Sequence, residues 1–336
     1  MGKSVSRVKC VLLYSGGLDS LLAAKVLMEM GIEVTGLHCI LPYFPPDLDI
    51  EGLKSTQLAN QIGLQLIHYR CGVEYIDMLR KPCHGYGKEI NPCIDCKLFF
   101  MKIAAGFINE LNADFVATGE VVGQRPMSQL KHTLNHIEKE SGLAGKLLRP
   151  LSAKLLKPTI AETDGRVDRN SLLDINGRGR KRQFELAKIY GITDFELPGG
   201  GCLFTDSHIA SRIRDAFKYF TNITPLDLCL LKFGRHFRIN EKLKIIVSRN
   251  QHETEELEKY SNYADYFFRP EFSGPSIFVK GIMSGSDKKI ISGILTRYSK
   301  LSEPEKRIII YMKNEAMEEI AAGSPVNEDE IDLWRI

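Results

Sequence analysis

The stretch VKCVLLYSGGLDSLLAAKVLMEMG, residues 8–31, constrains the fold of this chain more than any other. Residues 8–14 have the β-branched and apolar content of a buried strand, and LLAAKVLMEMG places apolar residues at helical spacing with Gly31 as its stop. Between them lies a bare strand-to-helix turn, Ser15-Gly16-Gly17-Leu18-Asp19-Ser20. In a parallel sheet such turns fall at the carboxyl ends of strands, beside the free N–H groups and positive end of the following helix. Gly16 and Gly17 remove the Cβ atoms that would obstruct a phosphate, while Ser15 and Ser20 offer hydroxyls.

A phosphate loop of the Walker type needs a lysine directed at the γ-phosphate, and none stands here. A cradle without it suits pyrophosphate as the leaving group, so ATP would be split between its α- and β-phosphates, with Asp19 holding Mg2+. Residues 15–20 resemble the S-G-G-x-D-S signature of the PP-loop ATP pyrophosphatase family. Downstream, strands at EVTGLHCIL, LQLIHYR and DFVAT alternate with helices near 51–62, 73–80 and 94–111. Such alternation predicts an α/β fold built on a doubly wound parallel sheet, which the resemblance makes adenine nucleotide hydrolase-like. Beyond DFVAT, Gly119, Gly123 and Arg125 form a second loop at a neighbouring strand end, with Arg125 available for phosphate charge. This segment resembles the T-G-x-x-x-G-Q of PP-loop tRNA thiolation enzymes.

Eight cysteines in 336 residues do not make a disulfide framework, and no apolar run approaches a membrane span, so a cytoplasmic chain with reduced thiols is expected. Cys93 and Cys96 form a C-x-x-C pair at a helix start, where the dipole lowers a thiol pKa toward the thiolate. A third, Cys202, follows Gly199, Gly200 and Gly201, which let the backbone approach a neighbour. Three readings stay open: a [4Fe-4S] cluster on three cysteines, a persulfide relay resolved by disulfide formation, and a closed zinc site completed by Cys83 or His84. Cys10, Cys39 and Cys229 read as small buried hydrophobes, and Cys71 and Cys83 are ambiguous.

These cysteines, with KLLRPLSAKLLKPT, GRGRKRQFELAKIYGI and GGGCLFTD, resemble the PP-loop tRNA thiouridine synthases over about residues 8–217. The resemblance implies an enzyme that adenylates a uridine carbonyl of tRNA and displaces AMP with sulfur from sulfide or a persulfide carrier. Ser15, Gly16, Gly17, Asp19, Ser20, Gly119 and Arg125 would bind ATP, and Asp19, Cys93, Cys96 and Cys202 would carry the chemistry. Which uridine is the target, 2-thio or 4-thio, stays open, as does a homodimer. The alternatives are a PP-loop ligase or amide synthetase with another acceptor, and a non-catalytic ATP- and RNA-binding protein with structural zinc.

The net charge of +3 conceals an uneven distribution. It is about +7 over residues 125–182, about +6 over 207–300 and about −5 from 301 onward. Two basic segments suggest a polyanionic partner, and Arg178, Arg180, Lys181 and Arg182, joined by Arg166 and Arg169, form a track for RNA phosphates. The expected domains are 1–220, for ATP and thiolation, and 221–336, a smaller α+β unit without membrane association. The latter resembles the RNA-binding domain of the NFACT family at Gly234-Arg235-His236-Phe237-Arg238, VSRNQHE and Gly274-Pro275, which adds Arg235 to the RNA contacts. His236 reads as structural or as a phosphate contact. The last segment, EPEKRIIIYMKNEAMEEIAAG, reads as a helix, or a strand then a helix, followed by disorder.

Overall fold

The computed structural model describes residues 7–195, 202–300, 307–312 and 317–336. The chain divides into two compact units at Thr205/Asp206. The first begins with β1 (Lys9–Tyr14), α1 (Leu18–Glu29), β2 (Glu33–Ile40), α2 (Lys54–Gln61), β3 (Gln65–Arg70) and α3 (Val73–Arg80). It continues with α4 (Cys93–Glu110), β4 (Phe115–Thr118), α5 (Lys131–Glu140), β5 (Leu147–Leu148), α6 (Ile160–Thr163) and α7 (Lys181–Ile189).

The five strands pair in parallel in the order β3-β2-β1-β4-β5. Strand β1 is apolar on both faces because both faces are covered. Cys10, Leu12 and Tyr14 pack with Leu18, Leu21 and Leu22 of α1. Val11 packs with Leu98, Met101 and Ala104 of α4. From β1 the chain moves outward to β3 and then returns to β4 on the other flank of β1. The loops leaving β1 and β4 therefore diverge at a switch point, where open α/β sheets bind ligands. Doubly wound order is what the alternation predicted.

The second unit comprises α8 (Ser207–Tyr219), α9 (Pro225–Leu230), β6 (Arg235–Asn240), β7 (Leu243–Val247), α10 (Gln251–Lys259), β8 (Tyr266–Pro270), β9 (Ile277–Gly281), α11 (Gly285–Arg297), β10 (Arg307–Met312), β11 (Met317–Ala321) and α12 (Glu328–Trp334). Its antiparallel sheet runs β11-β10-β8-β9-β7-β6. The unit starts 15 residues before the expected 220/221 boundary, because α8 is tied into it. Asp215 of α8 pairs with Arg238 Nη2 at 2.7 Å and Lys244 Nζ at 3.0 Å, and Arg212 Nη1 donates to Leu231 O at 2.8 Å.

The C-terminal stretch also departs from expectation. Residues 317–321 alternate in burial with a period of two and form a strand, not a helix. Residues 328–334, expected to be disordered, form a helix capped by Asn327 whose Ile331 is fully buried in the core. Among the described residues no helix is long and apolar enough to cross a membrane.

Candidate active site

The turn after β1 is shaped by close approach. Gly16 sits at φ +77°, and a Cβ there would lie 2.4 Å from Ser55 Cβ. Gly17 caps α1, Ser20 Oγ donates to its carbonyl at 2.8 Å, and Ser15 Oγ lies 3.4 Å from Ser20 Oγ. Gly119, leaving β4, packs so tightly on the start of α1 that a Cβ would fall 2.6 Å from the Asp19 and Ser20 backbone. Asp19 Oδ2 accepts from Gln124 Nε2 at 2.6 Å and lies 3.6 Å from Arg180 Nη2. Its Oδ1 is buried with no hydrogen-bond partner. Gln183 of α7 donates to Gln124 Oε1 at 3.0 Å and so holds the amide in place.

In front of this turn opens a cavity of about 650 Å³, lined by residues 13–20, 37–41, Tyr43, Lys54, Arg125 and Arg180 among others. Arg180, assigned to the RNA track by sequence, thus faces the cavity, whereas Arg178, Lys181 and Arg182 are exposed. Lys54 reaches the cavity wall from α2 while bonding Asp194 Oδ1 at 3.1 Å, so a lysine is present, supplied by a different element. His38 and His68, paired across β2 and β3, bring their Nδ1 atoms within 3.2 Å. Burial, then the neighbouring ring, lowers the His38 pKa to about 4, so this wall is neutral at pH 7.

Cys93 is the first residue of α4 and Cys96 lies one turn on, half-buried, with its Sγ 3.3 Å from the Tyr75 hydroxyl. Desolvation pushes the Cys96 thiol up to about 12, the Tyr75 hydrogen bond opposes this, and Cys202 and Cys93 raise it further. Cys202 is also raised, by desolvation first and by Cys93, while Arg125 works the other way. Phe204, two residues beyond Cys202, stacks on the Tyr75 ring at 6.4 Å and its carbonyl accepts from Ile90 N at 3.2 Å, which ties the Cys202 segment to the neighbourhood of the cysteine helix. The expected lowering by the helix dipole does not prevail at Cys96, because desolvation and neighbouring thiols outweigh it. Gly199, Gly200 and Gly201 lie outside the described residues.

The remaining candidates sort themselves by partner. Cys83 and His84 donate their backbone N–H groups to Asp95 at 2.9 and 3.0 Å, and the His84 ring faces Asp95 and His136. Cys71 is raised by a hydrogen bond with Cys39 and by burial, so these two thiols, read from sequence as separate, form a pair. Arg166 is bound to Asp114 and Asp164, Arg169 to Glu162, and Arg182 to Asp174, which shortens the basic track. In the second unit Arg235 lies over the Tyr298 ring at 4.5 Å, and His236 is buried with Nε2 on Phe233 O at 2.7 Å. His236 is structural.

Sequence reasoning also missed the anchor of the cysteine helix. Lys97, next to Cys96, pairs with the buried Glu120, which accepts from Arg149 Nε at 3.1 Å. Arg149 also bonds Glu138 at 2.9 Å and Leu134 O at 3.1 Å. Burial disfavours the Glu120 carboxylate, yet Lys97 and Arg149 outweigh it and hold its pKa below the ordinary value. The acidic residue in the loop after a strand was the available signal.

Residues 5–168 match the family described as Thiamine biosynthesis protein (ThiI), and residues 234–335 match the NFACT protein RNA binding domain. The tRNA-specific 2-thiouridylase MnmA of Sulfurimonas denitrificans is 33% identical over 119 residues, covering 34% of this chain and 35% of that protein. Probable tRNA sulfurtransferases of Thermococcus kodakarensis and Methanobrevibacter smithii are 32% identical over 126 residues and 31% over 175. These cover 34% and 49% of this chain, and 30% and 43% of the relatives. The chain thus spans less than half the length of the curated relatives it matches. Among solved structures, a 4-thiouridine synthetase–RNA complex with bound ATP covers 67% of this chain and 52% of its own at 19% identity, with a TM-score of 0.39, too loose a likeness to carry inference. The ThiI match thus falls within the first unit and the NFACT RNA-binding match within the second.

Proposed function

We propose that this chain is an ATP-dependent tRNA sulfurtransferase that installs a thiouridine. The observation that carries the reading is the meeting of two features at one wall. Arg125 and Tyr43 line the cavity in front of the glycine turn, and the Tyr43 ring meets Phe204 edge-on at 5.9 Å, while Phe204, two residues beyond Cys202, stacks at 6.4 Å on Tyr75, whose hydroxyl lies 3.3 Å from Cys96 Sγ. Activation and sulfur delivery need that proximity.

The bare turn and the N–H groups at the start of α1 suit the phosphates of ATP, with Arg125 and Arg180 opposing their charge. The orphaned Oδ1 of Asp19 fits Mg2+, which would neutralise the departing pyrophosphate when bound. In the first half-reaction a uridine carbonyl oxygen bonds the α-phosphorus and pyrophosphate leaves. In the second a sulfur nucleophile forms the C–S bond, the C–O bond breaks, and the oxygen departs in AMP. The aromatic wall of Tyr43 and Phe100 excludes water from the activated base. Cys93, Cys96 and Cys202 are a three-sulfur set, and the turning of His84 toward Asp95 leaves it unsuited as their fourth partner. That set fits a [4Fe-4S] cluster, which would supply an iron without a protein ligand where a sulfur donor binds. Both the ThiI-family match and the tRNA sulfurtransferase relatives support the reaction, and the NFACT match supports an RNA substrate.

The test is nucleoside analysis of tRNA incubated with ATP, sulfide and anaerobically reconstituted protein. A thionucleoside formed with AMP and pyrophosphate is expected, and its loss in Cys202→Ser with ATP binding retained places sulfur chemistry at the cysteines. No thionucleoside from iron-loaded, ATP-binding protein ends the proposal.

A further inference from the structure

Beside the cysteine helix, but outside its sulfur centre, three side chains converge without a role in the chemistry above. We propose that His84, His136 and Glu140 bind a divalent transition-metal ion of the zinc class, which clamps the loop of residues 81–92 to α5. The reading does not rest on the sulfur chemistry.

The geometry is specific. His84 Nε2 lies 2.9 Å from His136 Nε2 and 3.3 Å from Glu140 Oε2, and His136 Nε2 lies 2.9 Å from the same oxygen. The three donor atoms belong to one compact cluster. His136 and Glu140 stand four apart on α5, which puts them on one helix face. His84 comes from the loop opposite, so the group bridges two segments distant in sequence.

The surroundings of the cluster suit a cation. The other ring nitrogen of His84, Nδ1, lies 3.1 Å from Asp95 Oδ1, and Asp95 is only 6% exposed. A carboxylate behind the ring is the partner that metal-ligating histidines commonly have on their other nitrogen, and it fixes the direction in which Nε2 points. His136 Nε2 and a Glu140 oxygen face the same point, so three atoms able to ligate a metal surround one focus. A cation at the shared focus satisfies all three. Bonds of about 2.0–2.1 Å in a tetrahedron give ligand separations of about 3.3 Å, so the observed cluster needs to open by only a few tenths of an ångström. Two imidazoles and one carboxylate select zinc, cobalt or nickel over magnesium or calcium, and leave a fourth position for water. Asp95 stands between Cys93 and Cys96 on the first turn of α4, so the ion would steady through His84 the turn that carries both sulfurs.

The experiment uses the full-length chain with Cys93, Cys96 and Cys202 changed to serine, stripped with a chelator and titrated with Co2+ and then Zn2+. One Co2+ per chain is expected, with weak visible bands, no near-ultraviolet thiolate band, and displacement by Zn2+. His136→Ala and Glu140→Gln, both at exposed positions, should each weaken binding at least about tenfold, and Asp95→Asn about 10–100-fold, while circular dichroism stays unchanged in the first two. Zinc X-ray absorption on the unaltered chain covers the case that the triple variant fails to fold, with nitrogen and oxygen neighbours expected in a fraction lost on His136→Ala. Absence of Co2+ binding by folded protein, binding indifferent to His136→Ala, or a thiolate band would overturn the proposal.

Discussion

At Asp19 one carboxylate oxygen accepts from Gln124 and the other is buried without a partner. Such an orphan costs about 1–3 kcal/mol until a cation or donor arrives. Asp19→Asn should therefore lower pyrophosphate release by about a hundredfold or more while leaving the melting temperature unchanged or slightly higher, measured side by side on one preparation. At Cys96 the shift has the opposite use. With a pKa of about 12, raised by desolvation and then by Cys202 and Cys93, the metal-free thiol stays protonated at pH 7 to 9. Alkylation of Cys96 in metal-free protein, followed by mass spectrometry, should climb with pH toward 12, and a plateau below pH 9 would contradict the assignment. The sequence marked Asp19 for Mg2+, but neither its protein partners nor the direction of the Cys96 shift was visible at the residues themselves. Gln124 meets Asp19 across 105 positions of sequence, and Arg180 shares a basic run with Arg178, Lys181 and Arg182 but is turned inward while they remain exposed.

Among elements, the strand–turn–helix pairs were the most legible, because β1, β2 and β4 are buried enough to read as continuous apolar runs and α1 and α4 start at glycine or proline. Less legible were elements whose identity depends on a partner. β11 carries helix-forming residues and is a strand because β10 pairs with it, and α12 exists because Ile331 finds the core of its unit. The contact of β4's exit with the start of α1 makes a testable demand. Gly119→Ala drives a methyl into the Asp19 and Ser20 backbone and should cost about 1–3 kcal/mol of stability and weaken ATP binding, read by denaturant melts and nucleotide titration. The Lys97–Glu120–Arg149 network makes another. Glu120→Gln takes the carboxylate from the half-buried Lys97 and leaves the buried Arg149 with Glu138 alone, and should destabilise by about 3 kcal/mol. Because the folded Glu120 pKa lies below its unfolded value, its contribution is complete above about pH 4.5 and is lost as pH falls through the depressed value. The difference in stability between wild type and variant should shrink accordingly in acid.

For the molecule as a whole, charge distribution is the property that sequence reported best and located least well. The basic run was legible, but ion pairs at Arg166, Arg169 and Arg182 take three of its members. Arg178→Ala and Lys181→Ala should weaken tRNA binding evenly across tRNA species, each lowering the salt slope of log K by about 1 or less, whereas Arg182→Ala should change it little. The division at Thr205/Asp206 places Cys202 within three residues of the end of the first unit. The ribosome therefore releases Cys93 and Cys96 about a hundred residues before Cys202, a wait of about 5–20 s at ordinary elongation rates. During synthesis the proposed sulfur centre would be completed last, after every strand of the parallel sheet of its unit has already emerged.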